Sequence, residues 1–140
     1  MDSWLKREAN RFNKQGISNT YVWTLLDDPH VVAYYSLSTT LVRRGQLPRS
    51  ASGGHSLVPG YLIGRFALDV SIQGQGYGSE LLFDAIECIV AAMELVAGRL
   101  ILVDAIDENA KSFYQHHGFN QIGDTDRLYL TATTAKKIVS

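Results

Sequence analysis

Residues 61–97 read YLIGRFALDVSIQGQGYGSELLFDAIECIVAAMELVA, and they decide the fold of this chain. Aliphatic and aromatic residues dominate 61–70 and predict a strand, a glycine-rich turn follows at 73–78, and a long helix is expected from about 79 to 97. One face of this helix is apolar and consists of Leu82, Ile86, Ile89, Val90, Met93 and Ala97. This order brings free backbone N–H groups to a helix N-terminus, where they favour a phosphate or pyrophosphate.

Three glycine motifs can be compared with this turn. A P-loop ends in Gly-Lys-Ser/Thr, whereas this turn ends in GYGS at 76–79 and has no lysine. The dinucleotide fingerprint Gly-x-Gly-x-x-Gly fails because the third glycine, counted from Gly74, comes one position early; a dinucleotide-binding protein is therefore a minor alternative. The pattern Gln/Arg-x-x-Gly-x-Gly/Ala is matched in full by Gln73, Gly76 and Gly78.

The rest of the chain predicts strands and helices on both sides of this unit. We expect a helix over 3–16, strands over 21–26 and 31–41, a loop over 43–60, a buried strand over 99–106, a short helix over 107–117, and strands over 119–122 and 127–133. This order favours an α/β (α+β) fold, with a mixed sheet and helices on its faces. Residues 1–140 are expected to form one domain, since about 100–200 residues make one.

The composition limits the class of protein. Of 140 residues, 46% are apolar, which excludes intrinsic disorder, and no run of about 18 apolar residues predicts a membrane helix. The lone cysteine, Cys88, and the lack of a secretory pattern predict a cytoplasmic location. The net charge of −1 argues against a protein that coats nucleic acid, but it divides into +4 over residues 1–65 and −5 over residues 66–140. Such a division can mark a partner-binding face.

Two segments together resemble the GNAT superfamily of N-acetyltransferases. Residues 73–78, after FALDV at 66–70, are similar to the acetyl-CoA pyrophosphate loop of that family. DENAKSFYQHHGF at 107–119 is similar to its second signature, a short helix with Asn and Tyr before Gly-Phe. With YYSL at 34–37 and RFALDV at 65–70, the chain looks closest to the tRNA-acetylating toxins of bacterial type II toxin–antitoxin modules. The resemblance implies the GNAT fold, a mixed and mostly antiparallel central sheet flanked by helices.

One feature departs from the family pattern. GNAT proteins open with a strand before the first helix, whereas the predicted helix here begins at Ser3, so the first strand is expected to be missing. Two explanations stay open: the native chain starts upstream of Met1, or the edge of the sheet is left to a partner.

The resemblance also assigns residues to acetyl transfer from acetyl-CoA. Tyr114 is expected to be the catalytic acid, because a phenol with a pKa of about 10 can protonate a departing thiolate. The residues expected to bind acetyl-CoA are Leu68, Val70, Gln73, Gly74, Gln75, Gly76, Tyr77, Gly78, Ser79, Asn109 and Phe113. Leu68 and Val70 would offer backbone groups to the pantetheine arm as an added strand does, Asn109 would hydrogen-bond it, and Phe113 would flank it.

The motifs contain no obvious general base, and this bears on the acceptor. An α-amino group has a pKa of about 7.7–8.0 against about 10.4 for lysine, so a neutral fraction exists near pH 7 and water can take the proton. The pattern therefore favours the α-amino group of an aminoacyl-tRNA, with Asp69 and Asp104 as fallback bases. The candidate contacts to tRNA phosphates are Arg43, Arg44, Arg49 and Arg65.

No metal is expected, because His116 and His117 lack a third ligand at metal spacing and are interpreted as cations at a helix C-terminus. By resemblance, the partner is a ribbon-helix-helix antitoxin and the assembly is a homodimer. Two other functions stay open: a GNAT enzyme for a small-molecule amine or a protein N-terminus, and a CoA-binding module without catalytic activity.

Overall fold

The computed structural model describes residues 5–10, 19–25 and 28–140 of the chain. The strands in these ranges are β1 (Leu5–Asn10), β2 (Asn19–Leu25), β3 (Asp28–Arg43), β4 (Leu57–Leu68), β5 (Leu100–Asp104), β6 (Asn120–Gln121) and β7 (Arg127–Thr131). The α-helices are α1 (Arg49–Ser52), α2 (Tyr77–Ala92), α3 (Glu108–His116) and α4 (Ala132–Val139). Within this part of the chain, no helix is long and apolar enough to cross a membrane.

The strands form one sheet in the order β1-β2-β3-β4-β5-β7-β6. Neighbours are antiparallel except β4 and β5, which run parallel and pair from Gly60 with Leu100 to Ile63 with Val103. Beyond Ile63, β4 continues to Leu68 along β3 without β5, so the sheet opens between β4 and β5. The mixed, mostly antiparallel sheet that the sequence predicts is confirmed.

A β-bulge lies at this opening. The register between β3 and β4 shifts between the pair Ser36–Gly64 and the pair Tyr34–Ala67. Arg65 lies in the bulge with a φ of +47°, and among the described residues it is the one non-glycine with a positive φ. Such a backbone costs about 1–3 kcal/mol and persists where the surrounding structure imposes it. Because a bulge bends its strand, it accompanies the separation of β4 from β5.

Two apolar cores lie on opposite faces of the sheet, because alternate residues of a strand point to opposite sides. The larger core packs α2, α3 and α4 against side chains such as Tyr61, Ile63 and Val103. The smaller core consists of Leu47, Ala51, Val58, Leu100, Leu102 and Tyr129, and Ala51 places α1 over it. The helix predicted to follow the glycine turn is confirmed, and its buried residues are Tyr77, Leu81, Leu82, Ala85, Ile86 and Ile89.

The helix predicted for the N-terminal residues is wrong wherever the prediction overlaps the described residues. Residues 5–10, inside the predicted helix 3–16, form β1 and pair with β2 from Leu5–Leu25 to Asn10–Thr20. The first strand is therefore present at the sheet edge. A short apolar pattern does not separate helix from strand, and pairing along the edge of β2 decides the backbone here. Residues 3, 4 and 11–16 of the predicted helix, and 26–27 of the predicted strand and turn, lie outside the described residues.

The loop expected over 43–60 is shorter than predicted. β4 begins at Leu57, which pairs with Arg43 at the end of a long hairpin with β3. The connection contains α1, which ends at Gly53 with a φ of +65°. The Arg99 side chain holds α1 in place, because its Nε donates to the Ala51 carbonyl at 3.1 Å. This contact joins residues 48 positions apart, so no local pattern reports it.

The ends of one helix and of one strand also differ from the prediction. α2 ends at Ala92 instead of residue 97. In the segment that follows, the Val96 carbonyl accepts a hydrogen bond from the Tyr61 hydroxyl at 2.6 Å. The strand expected over 127–133 ends at Thr131, whose hydroxyl accepts from the Thr134 N–H at 3.3 Å and caps α4. The threonine run resembles a strand because β-branched residues favour strands, but the cap turns the chain into a helix.

Candidate active site

The turn after β4 is held by its own side chains. Asp69 accepts a hydrogen bond from the Ser71 N–H at 3.1 Å, at the start of a 3-10 turn over Val70–Ile72. Gln73 Nε2 donates to the Leu68 carbonyl at 2.9 Å and so ties the turn to the end of β4. Hydrogen bonds from Ser71 lower the pKa of Asp69 and keep it a carboxylate. Asp69 therefore shapes the turn.

Two glycines give the turn a backbone that other residues rarely adopt. Gly74 has a φ of +73° and Gly76 a φ of +85°, both in the left-handed region, and Gly76 is the N-cap of α2. A Cβ atom added at either glycine would meet no described residue within 4 Å, so the space beside the turn is open. The first N–H groups of a helix lack intrahelical acceptors, and the helix N-terminus is electropositive. The turn therefore fits a phosphate without a lysine or arginine in 73–79.

Tyr114, in α3, lies at the opening of the sheet. Its side chain is 6% exposed, and its ring centroid lies 5.4 Å from that of Phe113, 5.7 Å from Phe119 and 6.2 Å from Phe66. Phe66 belongs to the part of β4 that β5 does not reach. Burial first, and the charge of Asp104 second, raise the pKa of Tyr114 to about 12. The phenol therefore keeps its proton at neutral pH and is available as a hydrogen-bond donor.

Asp104, at the end of β5, is engaged in an ion pair. Its Oδ1 accepts from Arg127 Nε at 2.8 Å and its Oδ2 accepts from Arg127 Nη2 at 3.0 Å. These hydrogen bonds also raise the pKa of Arg127. Both oxygens of Asp104 are occupied by the guanidinium, so Asp104 would have to leave this ion pair to take a proton from an acceptor. Among the described residues, no three His, Cys, Asp or Glu side chains are grouped to hold a metal ion.

The start of α3 carries another expected cofactor contact. Asp107 caps this helix by accepting from the Ala110 N–H at 2.8 Å. Asn109 lies in the first turn with an exposed side chain. Val70, on the turn after β4, is 80% exposed, whereas Leu68 is half-buried. Asn109 and Val70 are therefore open to a ligand, as a cofactor contact must be.

The glycine turn and α3 touch each other at two places. A Cβ atom added at Gly78 would lie 3.6 Å from the Phe113 ring, which is ordinary contact distance. Next to it, Ser79 Oγ lies 3.0 Å from His117 Nε2. The His117 ring in turn packs edge-on against Phe113, with centroids 4.8 Å apart. The structure therefore brings Gly78, Ser79 and Phe113 together, as the sequence predicts.

His117 lies at the C-terminus of α3, where the sequence places it, but its imidazole also contacts the glycine turn, which the sequence does not predict. Burial first and His116 second lower the pKa of His117, which favours a neutral imidazole over a cation at the helix end. The spacing in the sequence could have indicated this contact, because residue 117 follows Tyr114 by three positions and Phe113 by four, and these positions share one helical face.

The four arginines expected to contact tRNA do not lie together. Arg43 and Arg44 line a surface depression at the end of the β3–β4 hairpin, and Arg49 begins α1 in the same connection. Arg65 lies eight residues after Leu57 along β4, or roughly 25 Å away at about 3.3 Å per residue. It neighbours Phe66 and so lies beside the opening of the sheet. The arginines therefore form two separate groups.

The comparisons with known proteins show the family of this chain. The Acetyltransferase (GNAT) domain family matches residues 18–121 of the chain. The chain belongs to the GNAT acetyltransferase family. A tRNA-acetylating toxin of Mycobacterium tuberculosis (strain ATCC 25618 / H37Rv) is 37% identical over 131 residues, which are 93% of this chain and 77% of the relative.

Solved structures share the fold along the whole chain. AtaT complexed with acetyl-methionyl-tRNAfMet superimposes with a TM-score of 0.86 at 22% identity, over 97% of this chain and 99% of the other. A Tyr-to-Phe mutant of the AtaT toxin, bound to the C-terminus of the antitoxin AtaR and acetyl-CoA, superimposes with a TM-score of 0.83 at 20% identity, over 99% of both chains. At these identities the likeness establishes the fold.

Proposed function

We propose that this chain is a toxin that acetylates the α-amino group of an aminoacyl-tRNA, with acetyl-CoA as donor, and so blocks translation. The observation that carries the proposal is the buried, protonated Tyr114 at the opening between β4 and β5, in contact with Phe113, which packs on the glycine turn. The mycobacterial relative is a tRNA-acetylating toxin, and AtaT is known in complex with acetyl-methionyl-tRNA.

When bound, acetyl-CoA supplies an acetyl group activated as a thioester. The turn over 73–79 would hold its pyrophosphate on the N–H groups at the start of α2. Leu68 would use its N–H for the pantetheine arm, because its carbonyl already accepts from Gln73. Val70 and Asn109 offer further exposed groups beside the same opening.

Tyr114 would act on the sulfur that leaves. Its Oη keeps a proton at neutral pH, and the leaving thiolate of a group with a pKa near 8.5 is less basic than the phenolate. The rings of Phe66, Phe113 and Phe119 pack around its ring, and the residue is 6% exposed to solvent. Tyr114 can therefore donate a hydrogen bond to the sulfur as negative charge forms there. Because the thiolate is the weaker base, a proton that Tyr114 gives to it would be regained from the proton that the acceptor amine releases.

The choice of acceptor follows from the two carboxylates considered as bases, because neither is free in the described part of the site. Asp69 is bound to Ser71, and Asp104 is bound to Arg127 on both oxygens. An acceptor amine must then be partly neutral by itself near pH 7. The α-amino group of an aminoacyl ester meets this condition, since α-amino groups titrate near 8 and lysine near 10.4.

The two groups of arginines favour a large acceptor. Arg65 can meet an acceptor at the opening, whereas Arg43 and Arg44 lie roughly 25 Å away along the sheet, and Arg49 belongs to the same connection as they do. A small amine at Tyr114 reaches only the first group. A tRNA is long enough to contact both, and its phosphates suit guanidinium groups.

The remaining expectations belong to the same proposal. AtaT has been solved with the C-terminus of its antitoxin AtaR, and we expect a ribbon-helix-helix antitoxin for this chain. Residues 1–140 would act as one GNAT domain in the cytoplasm, where charged tRNA is found, and would assemble as a homodimer.

The direct test supplies purified protein with labelled acetyl-CoA and aminoacyl-tRNA, and separates the products on acid–urea gels. We expect label on the tRNA with the wild-type protein. Tyr114→Phe should reduce the rate by about 100-fold or more, because it removes the acid, and should leave acetyl-CoA affinity in calorimetry unchanged.

Three results would contradict the proposal in different ways. Label on free amines but never on tRNA would favour a small-molecule or N-terminal acetyltransferase. Binding of acetyl-CoA without turnover on any amine would favour a non-catalytic module. A fully active Tyr114→Phe variant would remove Tyr114 from the mechanism.

A further inference from the structure

The Ser79 hydroxyl group has two possible hydrogen-bond partners, the His117 imidazole and a phosphate at the glycine turn. Its side chain is exposed in the first turn of α2, beside the open space next to Gly76. The same Oγ lies 3.0 Å from His117 Nε2, at the end of α3. A serine hydroxyl has a single proton to donate, so it cannot donate to both an imidazole nitrogen and a phosphate.

The state of the imidazole therefore decides what Ser79 offers a ligand. If Nε2 carries no proton, Ser79 donates to it, and only oxygen lone pairs face outward, which repel an anion. If Nε2 carries a proton, it donates to Ser79 Oγ and leaves the hydroxyl proton free to point outward. The second arrangement suits a phosphate, and a bound phosphate would select it.

We propose that His117 is a positioning residue for the cofactor: by donating from Nε2 to Ser79 Oγ, it directs the Ser79 hydroxyl proton at a phosphate of acetyl-CoA. This inference rests on the proposed use of the glycine turn for acetyl-CoA. It assigns to His117 a role in binding, and the residue need not touch the reacting atoms.

The surroundings of His117 favour this role over a purely electrostatic one. The ring is half-buried, packs on Phe113 with centroids 4.8 Å apart, and has the His116 ring 5.3 Å away. Burial and His116 both oppose a charge on the ring, so a neutral imidazole with one mobile proton is favoured. A neutral ring can place its proton on Nε2 without taking up another.

The test compares the affinity for CoA, which carries phosphates, with the affinity for pantetheine, which carries none. Calorimetry gives the first, and chemical-shift titration by NMR gives the second. Ser79→Ala should weaken CoA binding by about tenfold, the value of one hydrogen bond to a charged group, and His117→Leu by about threefold, because the hydroxyl remains but is no longer directed at the phosphate. Both variants should leave pantetheine binding unchanged, and because both act through one hydroxyl, the double variant should lose little more than Ser79→Ala alone.

Two variants keep this test specific. His117→Gln can donate from its amide to Ser79 and should restore most of the CoA affinity. His116→Leu changes the exposed neighbour and should bind CoA like the wild type. Ser79→Ala is a conservative change in a helix, so it reports on the hydroxyl even if His117→Leu does not fold.

The inference is overturned if His117→Leu binds CoA as tightly as the wild type, or if its affinities for CoA and for pantetheine fall by equal factors. Fully additive losses in the double variant would also overturn it. These results differ from a failure of the proposed function, in which the wild-type protein itself would bind no CoA or would acetylate no amine.

Discussion

The pH dependence of stability tests whether Tyr114 is a buried, protonated phenol. Its pKa is raised from the ordinary value of 10.0 to about 12 in the folded protein. Below pH 10, both folded and unfolded chains keep the proton, so this group contributes no pH dependence. Between pH 10 and 12 the unfolded chain loses the proton first, so the folded protein loses stability as the pH rises.

The size of the effect follows from the shift. One pKa unit corresponds to about 1.4 kcal/mol, so the full shift corresponds to about 2.7 kcal/mol above both pKa values. At pH 11, halfway through the interval, the free energy of unfolding should have fallen by about 1.4 kcal/mol through Tyr114. At pH 8 its contribution should be zero.

The measurement is urea unfolding of the wild-type protein and of Tyr114→Phe at pH 8, 10 and 11. Tyr35 and Tyr61 also have raised pKa values, but both proteins contain them, so their contributions cancel in the difference. The difference in unfolding free energy should change in favour of the phenylalanine variant by about 1.4 kcal/mol from pH 8 to pH 11. A difference that stays constant over this range would refute the burial of the phenol and its raised pKa.

Three further predictions concern the acceptor, the base and the fold. Arg44→Glu and Arg65→Glu should each raise the KM for aminoacyl-tRNA by about tenfold, but Arg44→Glu should leave acetylation of a small amine unchanged. If Arg44→Glu affects both acceptors similarly, Arg44 is not part of an extended contact with tRNA. Asp104→Asn should keep the acetylation rate within about tenfold of the wild type, because the acceptor needs no base from Asp104. A loss of about 100-fold or more, as expected for a missing general base, would assign the proton transfer to Asp104. Gly98→Ala should destabilise the protein by about 1–3 kcal/mol in urea unfolding, because its Cβ would lie 2.7 Å from the Tyr61 ring, and an unchanged midpoint would mean that the ring moves freely.

Local patterns explain which predictions succeeded. The glycine turn is readable because Gly74 and Gly76 adopt left-handed backbone angles that other residues rarely take. The short helix before Gly118 is readable because Asp107 caps it and Tyr114 lies on its buried face. Both features depend on residues close together in the chain.

The errors have the opposite origin. The sequence predicts a helix at β1 because the pairing of β1 with β2 is not visible in six residues of sequence. The arginines at 43 and 65 were treated as one group because the loop between them gave no sign that the β3–β4 hairpin extends to Arg43 and Leu57 and so separates the two ends of β4.

By itself, then, the sequence determined the strand–turn–helix unit, the second motif around Tyr114 and the GNAT family to which they belong. The tertiary structure decided where β4 separates from β5, how far burial and Asp104 shift the pKa of Tyr114, and which hydroxyl His117 contacts. The physical reason is distance along the chain. Turns and caps are set by neighbours, whereas a sheet opening, a buried phenol and a hydrogen bond across 38 residues exist only after distant segments have packed.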